Sequence, residues 1–240
     1  MKLKTFPGGL HPPDNKEWSA HKAIETCPLP AELVIPLAQH IGAPAELCVA
    51  KGDLVKKGQV IGTAKGFVSV PVHSSTSGEV TAVEPRPHAS GRNLPAVVIR
   101  PDGEDAWVEG INEADPETLS PDAIRERIRA SGIVGMGGAT FPAHVKLTPP
   151  ENKPIHTLII NGVECEPYLT ADHRLMLEKS QRIVAGLGYI MRSVGCTRGV
   201  VAIEDNKMDA VSALKQAAAS VPMSKSWSSR RNIPRAPRSS

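Results

Sequence analysis

The hydrophobic period of this chain changes once, and that change sets two architectures in series. From residue 30 to about 100, short apolar runs alternate with turn residues: "LVIPL", "LCVAKGDLVKKGQVIGTA", "FVSVPVHSSTSGEVTAV" and "AVVIRPDG". This is the pattern of a small all-β barrel or sandwich. From residue 118 the spacing becomes helical. "SPDAIRERIRASG" carries its own end signals, with Ser120 as N-cap, Pro121 at the first helical position and Gly132 to end the helix left-handed. "HTLIING" (156–162) reads as a short buried strand. Apolar residues at 183, 184, 187, 190, 191 and 194 keep helical spacing between Leu175 and Val194. "GVVAIED" is a further strand and "MDAVSALKQAAAS" a further helix. Strand, helix, strand, helix implies an α/β unit with a mostly parallel sheet. The expected organisation is an extended, Pro- and Gly-rich segment over 1–29, a β domain over 30–103, an α/β domain over 118–222 and a basic tail over 223–240.

Composition narrows the function. No apolar run approaches the roughly 20 residues of a membrane span, and "MKLKTFPGGLHPP" lacks the apolar core of a secretory leader. A cytoplasmic chain is expected, with docking to a membrane partner left open. The four cysteines, Cys27, Cys48, Cys165 and Cys196, form no CxxC, and the eight histidines show no metal spacing. Free thiols are expected, with no zinc or iron–sulfur site in the chain. Net charge is +3, but five of the 28 basic residues lie in 224–240, a stretch without an acid; the other 23 face 25 acidic residues. A slightly acidic body gives no general field for a polyanion, so nucleic acid is not an expected partner.

The stretch that calls for a ligand is "GIVGMGGATFP", residues 132–142, with four glycines in eleven residues. A turn needs one or two. Four within seven residues just after a helix leave backbone amides bare enough to meet a ring edge or a phosphate. Soon after comes "IINGVECEPYLTADHR", which puts Asn161, Glu164, Glu166, Asp172 and Arg174 at and after a strand's carboxyl end, where open α/β sheets bind ligands. An Asn offers donor and acceptor to a planar heterocycle, and carboxylates accept from ribose hydroxyls or a carboxamide. Lys146 could neutralise a phosphate. The chemistry fits a flavin and a nicotinamide nucleotide. Either stretch alone is weak: glycine-rich loops are often structural, and "ECEP" alone reads as a solvated acidic turn.

Three family resemblances sharpen this reading. "VAKGDLVKKGQVIGTAKGFVSVPVHSSTSGEV" resembles biotinyl and lipoyl carrier domains, a barrel-sandwich hybrid. A carrier needs an acylatable lysine at the tip of the central hairpin; that tip falls near Phe67 and Gly66, with Lys65 beside it. A scaffold without a prosthetic group is therefore expected, and a non-enzymatic carrier or binding module is the alternative. "GMGGATFP…K" followed by "NGVECEPYLTADHRLM" resembles the flavin-binding domain of the NADH-oxidising 51 kDa subunit of respiratory complex I. The closer likeness is to the RnfC family, from the Rnf (Rsx) ion-translocating electron-transport complexes. "FPGGLHPPDNK", "LPAELVIPLAQHIGAPAELCV", "GIVGMGGATFP" and "LIINGVECEPYLTADHRLMLE" follow in that family's order over roughly residues 4–220.

The resemblance implies FMN and NADH as ligands, with Gly135, Gly137, Gly138, Lys146, Asn161, Glu164 and Glu166 lining the nucleotide pocket; no catalytic residue is assigned. It implies an electron-transfer subunit of an NADH-linked translocase, peripheral on the cytoplasmic side of the bacterial inner membrane, with the other Rnf subunits as partners. Full-length relatives relay electrons through 4Fe-4S clusters, whose "CxxCxxCxxxCP" motif does not occur here, and Met136 replaces an Arg of the complex I loop. The tail "SKSWSSRRNIPRAPRSS" also departs from the pattern. Its composition is that of disorder, where the α/β alternation calls for a strand. Codons for this tail, read one base out of register, can encode a strand and a glycine turn. The expectation is a truncated, frameshifted chain that binds flavin weakly or not at all and transfers no electrons from NADH alone.

Overall fold

A computed structural model of the chain describes residues 13–111, 115–136 and 138–220, and the backbone of 230–231. Contacts divide it into two units: Cys27–Pro149, and the two segments Met1–Thr26 and Pro150–Ser240.

The Cys27–Pro149 unit contains strands β1 (Leu33–Pro36), β2 (Glu46–Leu47), β3 (Leu54–Val55), β4 (Val60–Thr63), β5 (Val72–His73), β6 (Gly78–Pro87) and β7 (Asn93–Pro101). They form two antiparallel sheets, ordered β1-β7-β6-β3 and β2-β4-β5. Ile35, Ile61, Val72, Val80, Val97 and Ile99 meet between them as a core. Each such side chain contributes about 1.5–3 kcal/mol on burial. Val80 pairs with Ile99 but Ala82 with Val98, so Thr81 is an extra residue in β6. A bulge of this kind tightens the local twist, which helps short strands wrap a small core. This is the small all-β unit expected from the turn spacing, and the barrel-sandwich hybrid that the carrier-domain resemblance implied.

Helices α1 (Pro121–Ala130) and α2 (Ala143–Lys146) belong to the same unit. The Ser120 hydroxyl accepts from the Ala123 amide at 3.2 Å, and Gly132 takes φ +69° beyond the last turn. Both ends of α1 therefore follow the sequence signals. Its allegiance differs: α1 and the glycine loop cluster with the β strands, although helical spacing had assigned them to the α/β domain. The reason lies in contacts distant in sequence. A Cβ at Gly132 would stand 2.7 Å from the Pro71 carbonyl oxygen, so the helix end is pressed onto the β5 region.

The second unit holds β8 (Thr157–Gly162), α3 (Ala171–Glu178), α4 (Ser180–Val194), β9 (Arg198–Ile203), α5 (Met208–Ser220) and β10 (Arg230–Arg231), with the sheet parallel throughout in the order β10-β9-β8. Helices α3, α4 and α5 pack on it through Met176, Val184, Leu187, Met191, Val211 and Leu214. The helical pattern read between Leu175 and Val194 is two helices, broken at Lys179 (φ −129°, ψ 26°). Apolar spacing runs on through the break, so the pattern could not locate it. Arg230–Arg231 pairs with Ala202 and Ile203, where the alternation calls for a strand. The rest of the expected disordered tail lies outside the described residues.

Residues 13–26, read from sequence as part of an extended segment, are built into this second unit. Lys16–Trp18 forms a 3-10 turn. The Tyr168 amide donates to the Asp14 carbonyl at 2.7 Å, Trp18 meets the Tyr168 ring edge-to-face at 5.5 Å, and the Ile24 amide donates to the Glu178 carboxylate at 3.1 Å. Among the described residues no helix is long and apolar enough to cross a membrane. None of their His, Cys, Asp and Glu side chains gather in threes that could hold a metal ion.

Candidate functional site

The expected ligand-binding residues fall in both units, and each set is built by its own. In the Cys27–Pro149 unit the glycine loop is a small closed hairpin. Val134 bridges Pro142 in antiparallel sense, the Gly135 amide donates to the Phe141 carbonyl at 2.9 Å, and the Ala143 amide donates to the Ile133 carbonyl at 2.9 Å. The base is tied and the tip projects. Met136 at the tip is 91% exposed. Gly138 has φ +131°, and a Cβ there would meet nothing within 4 Å. Thr140 also has positive φ (46°). At Gly138 the loop is thus bare backbone in a conformation that L side chains rarely adopt. Gly137 lies outside the described residues.

The structure brings Gly135 and Lys146 together. The Lys146 ammonium lies 2.6 Å from where a Gly135 Cβ would be, and 5.9 Å from the centre of the Phe141 ring. Only a glycine lets the lysine cross the loop base this closely. His144, earlier in α2, is buried, and its Nε2 donates to the Phe67 carbonyl at 2.9 Å. Arg129 at the end of α1 donates to the Gly66 carbonyl at 3.3 Å. Both helices that flank the glycine loop are therefore fastened to the hairpin tip where a carrier domain would present its lysine. Phe67 stands there instead, while Lys65 is exposed beside it. Burial pushes the His73 imidazole pKa down against a backbone hydrogen bond with Ala130, which raises it. His73 sits 3.2 Å from the Gly132 Cβ position, at the root of the same loop.

In the second unit the carboxyl end of β8 carries Asn161, and the loop to α3 carries Glu164 and Glu166. Asn161 is exposed, and its Oδ1 accepts from the Val163 amide at 3.0 Å, an Asx turn that lifts the chain off the sheet. Glu166 is exposed as well. Glu164 has an internal position: it is 3% exposed, its Oε1 accepts from the Asp172 amide at 2.8 Å in the first turn of α3, and its Oε2 stands 3.7 Å from the Lys16 ammonium. Its carboxylate, expected on a ligand, secures the loop. Arg174 pairs with Glu178 at 2.6 Å and donates to the Ala20 carbonyl, which holds residues 13–26 against α3.

Sequence reasoning missed the Lys207–Glu204 and His173–Asp209 pairs and Lys16. Lys207 is buried at 2% exposure and pairs with Glu204, both just beyond β9. His173 of α3 is hydrogen-bonded through Nε2 to Asp209 at 3.0 Å. Burial raises the Asp209 pKa, but hydrogen bonds from His173 and the Ala210 amide outweigh it and hold the carboxyl below its usual value. "IEDNK" after β9 stands in register opposite "GVECE" after β8, and that parallel was the available signal. Lys16 gave none, because its partners lie about 150 residues away.

Comparison with known proteins agrees with this geometry. Residues 4–104 match the RnfC barrel sandwich hybrid domain, and residues 128–234 match the Nuo51 FMN-binding domain. The chain is 50% identical over 216 residues to a subunit of the proton-translocating ferredoxin:NAD(+) oxidoreductase complex of Clostridium ljungdahlii, covering 90% of this chain and 47% of that protein. It is 49% identical over 218 residues to a subunit of the Na(+)-translocating ferredoxin:NAD(+) oxidoreductase complex of Acetobacterium woodii (90% and 49%). It is also 49% identical over 209 residues to a subunit of the ion-translocating oxidoreductase complex of Rhodobacter capsulatus (86% and 40%). The chain spans about half the length of these relatives or less. A barrel-sandwich hybrid followed by a Nuo51-type FMN-binding domain, in this order and at this identity, places the chain in the RnfC family of the Rnf-type ion-translocating oxidoreductase complexes.

Proposed function

We propose that this chain supplies the flavin- and nicotinamide-nucleotide-binding part of an ion-translocating ferredoxin:NAD(+) oxidoreductase complex. The observation that supports the reading best is the glycine hairpin, with its tied base, bare tip and lysine ammonium at the root. This donor set fits a flavin phosphate or ring edge: a loop with no Cβ at Gly138 and open space beside it, and one cation at the root. In this reading Gly135, Gly137, Gly138 and Lys146 hold FMN. Asn161 and Glu166 meet nucleotide groups, the first as donor and acceptor and the second as acceptor, and Glu164 acts through the loop it secures. Bound flavin would supply hydride acceptance and single-electron release. The chain's own residues bind and orient it.

NADH-driven electron transfer, the 4Fe-4S relay and assembly with the other members of the complex belong in this reading to the whole protein, peripheral on the cytoplasmic membrane face. The carrier alternative draws no support from the hairpin tip, whose Gly66 and Phe67 carbonyls are engaged by Arg129 and His144. The test is titration of the purified chain with FMN, read as quenching of flavin fluorescence, with intact mass in parallel. Saturable quenching, too weak to survive desalting and absent in Gly138→Val, is expected, with no added mass on Lys65. Quenching that is unsaturable, or identical in Gly138→Val, refutes the flavin site. A lipoyl or biotinyl mass increment would restore the carrier reading.

A further inference from the structure

Lys16 is placed like a bound metal ion. Its ammonium donates to the backbone carbonyls of Glu164, Glu166 and Leu169 at 2.8, 3.0 and 2.6 Å, and only 12% of its side chain is exposed. An ammonium has three N–H donors, and all three are spent on carbonyls of one loop. That accounts for Glu164 Oε2: it is buried, has no hydrogen-bond partner, and yet lies 3.7 Å from the ammonium. It contributes charge where no donor is left. Three carbonyl dipoles converging on one point repel each other unless a cation sits among them. The loop between β8 and α3 is shaped around that cation, and the cation arrives on a segment about 150 residues away in sequence.

We propose that Lys16 is a built-in monovalent cation of the Glu164–Leu169 loop, a positioning residue occupying an oxygen cage that a free cation would otherwise fill. The role in nucleotide binding rests on the function proposed above; the cage does not. Three carbonyls and a carboxylate suit potassium or ammonium once the lysine head is removed. The lysine alternative needs no ion from solution, so the loop keeps its shape whatever the salt. Glu166 is carried on this loop, so its position depends on the cage.

The experiment compares Lys16→Ala with Lys16→Met in the 240-residue chain, melted at equal ionic strength in tetramethylammonium, potassium, ammonium or propylammonium chloride. In tetramethylammonium, Lys16→Ala is expected to melt roughly 6–20 °C below wild type, the range for breaking a buried charge pair in a chain of this size. Potassium, ammonium and propylammonium are expected to restore most of that loss, and wild type to be indifferent to the cation. Lys16→Met keeps the aliphatic stem and blocks the cage, so it is expected to stay low in every salt. Wild-type stability in Lys16→Met would show that Lys16 acts through its stem and would overturn the proposal. So would equal melting of Lys16→Ala in ammonium and tetramethylammonium.

If Lys16→Ala does not fold, wild type labelled with 15N-lysine decides. Two slowly exchanging ammonium groups are expected, from the buried Lys16 and Lys207, and one should vanish in Lys16→Arg. Fast exchange at Lys16 refutes the cage. FMN quenching measured in the same salts separates the two claims. Cation rescue without FMN binding in wild type would sustain the cage and remove the assigned function.

Discussion

The two glycines of the hairpin differ in what a side chain would meet, and the difference predicts two distinct phenotypes. At Gly138 an added Cβ finds open space, so the free protein suffers no clash. The whole structural cost lies in holding an L residue at φ +131°, of order 1–3 kcal/mol. That is a fall of about 2–12 °C in melting temperature for a chain of this size. The tip stands outside both hydrophobic cores and can relax, so the low end is expected for Gly138→Val. At Gly135 the backbone needs no positive φ, and the closest atom to an added Cβ is the Lys146 ammonium at 2.6 Å. The far end of a flexible side chain moves aside at little cost, so Gly135→Ala should melt as wild type does. It should still weaken FMN binding, because the cation has left the loop. Full removal of the charge in Lys146→Met loses a charge-assisted contact of about 1.5–3 kcal/mol, or roughly 10- to 150-fold in Kd. Gly135→Ala should lose part of that, and Gly138→Val should abolish saturable binding. The assays are flavin-fluorescence titration and thermal melting by circular dichroism. Wild-type FMN affinity in both Gly135→Ala and Lys146→Met would refute the role of the lysine. Wild-type affinity in Gly138→Val would refute the hairpin as the flavin site.

Other expectations follow from single contacts. Glu166→Gln keeps the shape of an exposed side chain and removes its charge; nicotinamide-nucleotide affinity should fall about 10- to 150-fold with FMN affinity little changed, and equal losses for both ligands would count against the assignment. Gly132→Ala forces a Cβ to 2.7 Å from the Pro71 carbonyl oxygen at φ +69°. It should destabilise the Cys27–Pro149 unit far more than Gly138→Val does, and comparable melting temperatures would show that the α1 end is not pressed on β5. His73 is held neutral by burial, so its folded pKa lies below 6.5. Below pH 6.5 the unfolded chain binds the extra proton, and the His73 contribution to stability is complete above that pH and declines as pH falls through the folded value. His73→Gln should flatten the melting temperature over that window; an unchanged slope would remove His73 as its source.

Local signals were legible and distant ones were not. Ser120 and Gly132 declared both ends of α1, because a cap is chosen by neighbours three or four residues away. The strands of the β domain and the two strand–helix pairs after residue 156 were readable for the same reason: period and turn residues are local properties. Lys179 hid its break because the apolar stripe stays in phase across it. The attachment of the glycine loop to the β strands depends on His144 reaching Phe67 and on Gly132 fitting against Pro71, contacts that no periodicity encodes. Glu164 was singled out as a ligand group because its position after β8 is correct for one. Its inward turn toward Lys16 was invisible, since "DNKEW" carries no mark of a partner about 150 residues away.

That separation has a consequence for synthesis. Residues 13–26 leave the ribosome long before their partners, since the hydrogen bonds of Lys16, Ala20 and Ile24 across the chain reach residues 164–178. At about 5–20 residues per second, the segment waits roughly 7–30 s for its partners. During that interval the whole Cys27–Pro149 unit is made and can complete its own core. The second unit can close only when the last of its strands and helices meet a segment already held for the length of a domain. Its nascent state carries an unmatched Lys16 ammonium, which finds its three carbonyls only once the loop after β8 emerges.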